Sequence, residues 1–241
     1  MSFRSEFAKI KNESLKVKLD YIFSYYWIPM LIALLLIFTL IPEIIYLATQ
    51  KETVLSGHCI DAVFELEDSE QFIKDVSSKL GIDESKEEFA LTTSLLITED
   101  LEGVIATHQL ISAQITSRSL DFLSGDPKVL LQYAYDACFY DLRTVLSAEQ
   151  SAALSPYFLY IDETFERVVE PGAQPADFPD PTKPEEMEKP VPFAVQIPES
   201  SDFDRVYFGD TDELSAIAII RNAPNTTAAI EFLFLTCTQV D

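Results

Sequence analysis

Hydrophobic positions are distributed in three different ways along the chain, and each predicts a different kind of element. Near the N-terminus no charged residue occurs from Tyr21 to Pro42, and Ile44 to Ala48 continue the run beyond Glu43. At about 1.5 Å of rise per residue such a run covers the ~30 Å hydrocarbon core of a bilayer, so one helix over 21–48 can span it. Further along, alternation takes over. Ile60, Ala62, Phe64 and Leu66 alternate with Asp61, Val63 and Glu65, and Phe89, Leu91, Thr93, Leu95 and Ile97 repeat the period of two, which predicts two half-buried strands. Between and after them the period is helical. Phe72, Ile73, Val76 and Leu80 form one stripe, preceded by Ser69 as a cap and stopped by Gly81, and Leu101, Val104, Ile105, His108, Ile111 and Ile115 form another after Thr98, Glu99 and Asp100.

A third strand follows in "SLDFLSG", and Asp126 with Pro127 opens a helix running to about Asp136. Strand and helix thus alternate three times, the order that produces parallel pairing with right-handed crossovers. The second half is less regular. Ser147 and Gln150 have capping-box spacing, Tyr157 to Ile161 reads as a strand, and Phe193 to Ile197 and Leu214 to Ile220 read as two more. Asn225 caps a closing helix with Ala229, Ile230, Phe232, Leu233 and Leu235 inward. Residues 171–192 hold seven of the 13 prolines and are expected to form an exposed loop of polyproline character. The expectation is one α/β domain over 49–241, with a division into two lobes admitted near residues 136–150.

Charge sharpens the reading of the first segment and removes one class of function. The formal net charge is −23, yet residues 1–20 carry Arg4, Lys9, Lys11, Lys16 and Lys18 against Glu6, Glu13 and Asp20. A basic leader before an apolar span stays on the cytoplasmic side, and Tyr21, Tyr25, Tyr26 and Trp27 at that end suit the headgroup level. The expected organisation is a basic cytoplasmic leader (1–20), a transmembrane anchor (21–48) and an extracytoplasmic domain (49–241). The apolar region is longer than that of a cleaved signal, and Tyr46 to Gln50 has no small-residue cleavage pattern. Leu55-Ser56-Gly57-His58-Cys59 approaches a lipid-attachment pattern, but His58 interrupts it. The acidic remainder repels phosphate backbones, so no nucleic-acid partner is expected.

Candidate chemistry is sparse. The three cysteines, Cys59, Cys138 and Cys237, fit no metal spacing, and Cys138 and Cys237 lie among apolar neighbours as buried core residues would. His108 lies on an apolar stripe, as a satisfied core histidine would, and His58 has no neighbouring residue to complete a metal site. The acid clusters at Glu65–Glu70, Asp83–Glu88 and Asp210–Glu213 lack calcium-loop spacing. No nucleophile elbow or phosphate loop occurs, so neither an enzyme nor a cofactor is expected. In open α/β sheets ligands sit beyond the carboxyl ends of the strands. That rule selects Glu65 and Glu67 after the first strand, Thr92 and Ser94 on the second, and Ser124, Gly125 and Asp126 after the third, with Tyr133, Tyr135 and Tyr140 placed to wall a cleft. Asp126 as a cap and Pro127 at the first helical position explain the same turn without a ligand.

Several segments together resemble a known family: "LSGHCIDAVFELEDSEQFIKDVSSKLGID", "SLDFLSGDPKVLLQYAYDACFYDLRTVLSAEQ" with Phe139-Tyr140-Asp141-Leu142-Arg143, and the closing "AIAIIRNAPNTTAAIEFLFL". With the single N-terminal span they are similar to small membrane-anchored proteins of monoderm bacteria that look like truncated extracytoplasmic solute-binding proteins of the type 2 periplasmic-binding fold. The resemblance implies a reduced α/β domain of that fold with a mixed sheet, and a non-catalytic module holding a small polar ligand. The alternative is a scaffold or assembly component of a membrane complex that keeps the fold without the pocket.

Overall fold

A computed structural model describes residues 14–62, 66–95, 101–165, 178–208 and 214–238. The chain forms two compact units, Met1–Gln50 and Lys51–Asp241. In the first, α1 (Leu15–Thr49) is one continuous helix with Pro29 and Pro42 inside it, extending beyond the predicted span at both ends. Its stretch Trp27–Ile45 is 19 residues long with a mean hydropathy of 2.5 and contains no buried residue, so by length and composition it can cross a membrane.

The second unit is built on one six-stranded mixed sheet: β1 (Glu52–Ile60), β2 (Glu87–Leu95), β3 (Phe122–Gly125), β4 (Phe158–Asp162), β5 (Pro190–Gln196) and β6 (Ala216–Ile219), in the spatial order β2-β1-β3-β6-β5-β4. β1 pairs in parallel with β2 and β3, and every pairing from β3 to β4 is antiparallel. The helices are α2 (Leu66–Lys79), α3 (Leu101–Ser117), α4 (Pro127–Tyr135), α5 (Leu142–Val145), α6 (Ala148–Leu154), α7 (Asp202–Tyr207) and α8 (Thr226–Thr238). The sheet is covered on both faces. On one, Leu55, Cys59, Phe122, Ile217 and Ile219 meet Phe72 of α2, Phe203 of α7 and Phe232 of α8. On the other, Ile60, Leu123, Ala216 and Ala218 meet Ile111 of α3 and Leu130 and Leu131 of α4.

Two-sided burial explains the main departure from the sequence reading. The first strand runs over 52–60, not 60–66, and Ile60 is its last residue. Covered on both faces, β1 has no polar alternation to display. It carries Gly57 in mid-strand because the Phe122 ring lies across it: a Cβ at Gly57 would come within 2.0 Å of Phe122 Cζ. Its partner is the register neighbour, since Gly57 pairs with Phe122. Cys59, at the end of the lipid-attachment-like pattern, is fully buried. Of the predicted alternating run, residues 63–65 lie outside the described residues, and Leu66 already belongs to α2. Ser69, expected as a cap, lies inside that helix, buried and hydrogen-bonded to the Tyr207 hydroxyl at 3.0 Å.

The proline-rich segment is also corrected at one end. Residues 166–177 lie outside the described ones, but Pro190 and Pro192 belong to β5, paired with Asp162 and Tyr160 of β4. β5 meets β6 only at Val195 and Gln196, so its prolines fall where one side of the strand needs no ladder donors. No division into lobes occurs near 136–150. Phe139 bridges Ile220, Tyr140 N donates to Ile219 O at 3.0 Å and Arg221 N to Cys138 O at 2.7 Å, which stitches this segment to the same sheet.

Candidate functional site

The turn selected from the sequence is a closed structure. Ser124, next to last in β3, is fully buried, and its Oγ has no hydrogen-bond partner among the described residues. Gly125 lies against β1, where a Cβ would sit 3.2 Å from Ile60 Cβ. The Asp126 carboxylate accepts from Lys128 N at 2.7 Å and caps α4. Tyr133 is buried, with its hydroxyl 2.5 Å from His108 Nδ1. Burial pushes the Tyr133 phenol up, with Cys138 and Asp136 adding to the effect, and burial pulls the His108 imidazole down, so both are held in their neutral forms near neutrality. Tyr140 is half-buried and packs on the opposite face of the sheet from Tyr133. Tyr135 stacks on Phe178 at 5.0 Å, nearer β4. Thr92 is half-buried beside His58, its register partner on β1. The backbone of Ser94 belongs to β2. Glu67 is exposed in the first turn of α2, and Glu65 lies outside the described residues. Tyr140 therefore lies on the other face of the sheet from Tyr133 and Tyr135, and the three do not wall one cleft at the turn.

Two buried polar groups nearby have structural partners instead. His58 is buried, and its Nε2 contacts Gln114 Oε1 on α3. Burial lowers the His58 pKa against the raising effect of its hydrogen bonds, which favours the uncharged ring. At the sheet end Ser215 donates to Asp204, whose carboxyl is pushed up by burial, lowered in part by that hydrogen bond and raised again by Glu199. Among the described residues no cluster of His, Cys, Asp and Glu could hold a metal ion.

An open concavity among the described residues lies elsewhere, between α2, α7 and the end of α8. It is a groove of about 810 Å³. α2 contributes Asp68, Gln71, Asp75 and Lys79, spaced three and four apart and so on one helical face. Gln71 Nε2 donates to Asp75 Oδ1 at 2.8 Å. Across the groove, Arg205 is paired with Asp202 at 2.7 Å. Its apolar lining is Phe72, Val76, Phe203, Val206 and Leu235, of which Phe72, Val76 and Phe203 are buried and Val206 and Leu235 half-buried. Thr236 also lines it, is only 7 % exposed and leaves its Oγ1 without a hydrogen-bond partner among the described residues.

The walls are held rigidly. Ser201 caps α7 by accepting from Phe203 N at 3.3 Å while its own hydroxyl donates to Thr236 O at 2.9 Å, which ties α7 to α8. The Ser69–Tyr207 bond ties α2 to α7, and Phe203 and Tyr207 pack around Phe72 with ring centres 5.5 and 5.4 Å away. The sequence reading gives α2 and α8 but not α7, so the groove between them is not among its expectations. The signals for α7 are present in Ser201 as cap, Asp202 and Asp204 in the first turn, Arg205 in the last and Phe203 and Tyr207 four apart.

No family model matches the chain, and no curated protein matches it. Among solved structures, iron-bound HitA from Pseudomonas aeruginosa aligns with a TM-score of 0.36 and 11% identity over 76% of this chain and 80% of that one. A superposition at that score supports no argument about what this chain binds.

Proposed function

We propose that the chain is a membrane-tethered, extracytoplasmic, non-catalytic interaction module, and that it docks a partner protein through the groove between α2, α7 and α8. The observation that carries this reading is the contrast between the two candidate places. At the strand end Ser124 is sealed, Asp126 is used as a cap and Tyr133 and Tyr140 lie on opposite faces of the sheet. The groove has an apolar lining and a polar rim on a firmly tied frame. This supports the scaffold alternative over a small polar ligand held at the turn.

Charge selects the class of partner. The rim carries Asp68, Asp75 and Asp202 against Lys79 and Arg205, and with Arg205 engaged by Asp202 the balance is two aspartates to one lysine, in a chain whose net charge is −23. An amphipathic segment with Lys or Arg along one side and apolar residues along the other would satisfy both rim and lining. The test is a fluorescence-anisotropy titration of the full chain in nanodiscs with a labelled Leu/Lys amphipathic peptide and its Leu/Glu counterpart. The expected result is selective binding of the basic peptide that weakens as salt rises and falls at least tenfold in the Asp68→Lys/Asp75→Lys double variant. Equal binding of the two peptides, or an unchanged affinity in the double variant, overturns the reading.

A further inference from the structure

The chain has two histidines, and both hold the same helix. His58 of β1 is 3 % exposed, and its Nε2 contacts Gln114 Oε1 of α3. His108 belongs to α3 itself, and its Nδ1 lies 2.5 Å from the hydroxyl of Tyr133 on α4. The helix they hold is lightly packed. α3 is 17 residues long, yet among its described residues only Thr107 and Ile111 are buried, and Ile105 and Leu110 are each 46 % exposed. α8, with 13 residues, buries Ala229, Phe232, Leu233, Thr236 and Cys237. The frame beneath α3 is closed without it, since the Asp121 carboxylate accepts from Ser56 N of β1 and from Asn225 N ahead of α8.

We propose that the two histidines make α3 a pH-released flap: on acidification both imidazoles take up a proton, and the helix leaves the sheet while the strands, α2 and α8 keep their fold. The groups around each ring set the sign. Beside His58 stand its register partners Thr92 of β2 and Leu123 of β3, together with Gln114 of α3; all are uncharged, and Cys59, its chain neighbour, is buried on the opposite face. A proton on this ring therefore adds a buried charge with no carboxylate beside it. His108 faces α4 and the turn after it, where Tyr133, Asp136 and Cys138 are the titratable groups; Asp136 favours the charged ring, but burial outweighs it. Once protonated, Nδ1 of His108 can no longer accept from the Tyr133 hydroxyl, which keeps its own proton because burial pushes the phenol up. With α3 released, both rings meet water and return towards the ordinary value of ~6.5. Burial holds both below that value in the closed form, so docking is fully supported above pH ~6.5 and weakens as pH falls through the closed-form values. Each proton taken up on release shifts the docking equilibrium by up to about tenfold per pH unit, and two shift it by up to about 100-fold. Release bares Ile60 of β1 and Leu123 of β3, which meet Ile111 in the closed form.

The test is amide hydrogen exchange of the full chain in nanodiscs from about pH 7.5 to about pH 5, corrected for the intrinsic exchange rate and read by mass on α3 and α8 peptides. Titration of isotope-labelled histidine by NMR in a mild detergent accompanies it. The expected result is a loss of α3 protection, relative to α8, of at least about tenfold between about pH 7 and about pH 5.5, with both imidazoles titrating below ~6.5. In the His58→Asn/His108→Phe double variant, which ionises at neither place, α3 protection relative to α8 should no longer change over that range. The exchange of the unmodified chain and the ring titrations stand by themselves if a substitution disturbs packing. Protection of α3 and α8 that falls in step, an imidazole titrating at or above ~6.5, or an undiminished pH dependence in the double variant overturns the proposal.

Discussion

Asp121 is the most consequential single side chain for the integrity of the domain, and its removal can be worked through from the structure. It is fully buried at the entry to β3. Its Oδ2 accepts from Ser56 N of β1 at 2.8 Å, its Oδ1 from Asn225 N ahead of α8 at 2.7 Å, and Asn225 Nδ2 approaches Oδ2 at 3.3 Å. The Asp121 backbone adds a bond to Ser56 O and accepts one from Ile220 N, each 2.9 Å. One carboxylate thus joins a central strand, its neighbour and the closing helix. Asp121→Ala strands two half-buried backbone donors. At roughly 1–2 kcal/mol each, in the lower part of the range for unsatisfied groups, and with the loss of charge-assisted bonds, the cost is about 3 kcal/mol. Against a typical domain stability of ~5–15 kcal/mol that is a large fraction. With a urea m-value of about 2 kcal/mol/M, the midpoint should fall by about 1.5 M at constant m. Asp121→Asn keeps one acceptor and turns a donor towards a donor, so about half of the loss is expected. Urea titrations of the full chain in a mild detergent, followed by tyrosine near-UV and far-UV circular dichroism, measure both. A loss below about 1 kcal/mol in Asp121→Ala would refute the reasoning.

Two further predictions concern other parts of the sheet. Asp162 accepts from Thr164 N and Oγ1 at 3.0 and 2.8 Å and from Glu188 N and Lys189 N at 2.8 and 3.0 Å. Burial alone would raise its pKa, but these bonds outweigh it and hold the carboxyl at about 2. Because the folded value lies below the unfolded ~3.9, its contribution is complete above pH ~4 and is lost as pH falls towards 2. Asp162→Asn should flatten the stability profile in that window while leaving its shape above pH 5 unchanged, as thermal melts across pH will show. At Gly57 an added methyl collides with the Phe122 ring, so Gly57→Ala should cost about 1–3 kcal/mol, and Phe122→Leu in the same chain should recover part of it. Additive losses in the double variant would contradict the collision.

What could be read from the sequence were features whose cause is local. The long apolar run became a single helix, the Ser147–Gln150 capping box formed with bonds of 3.2 and 2.9 Å, and Asp126 and Pro127 opened α4 where they were expected to. Gly81, at a φ of 70°, ended α2 as glycine does after a helix. Each of these depends on residues within four positions of one another, or on composition alone. The position of β1 was not legible, because a strand buried on both faces shows no alternation and its glycine answers to an aromatic ring 65 positions away. Asn225 shows the same limit from the other side. It stands before α8 as a cap should, yet its side-chain amide reaches Asp121 and, at 3.4 Å, Thr53 O.

The candidate site divides along the same line. Sequence alone was sufficient to find the strand, turn and helix at 119–136 and to see that the turn needs no ligand to explain it, since cap and proline act on their own neighbours. Only the tertiary structure decided that Tyr133 and Tyr140 fall on opposite faces of the sheet, and that the open groove lies where α2, α7 and α8 meet. That groove is assembled from residues more than 130 positions apart, joined by contacts such as Ser69–Tyr207. Periodicity tells which face of an element is apolar, but not which other element will cover it, because many pairings bury similar area. The choice is made by side-chain shape and by buried polar partners, and those exist only once the chain has closed on itself.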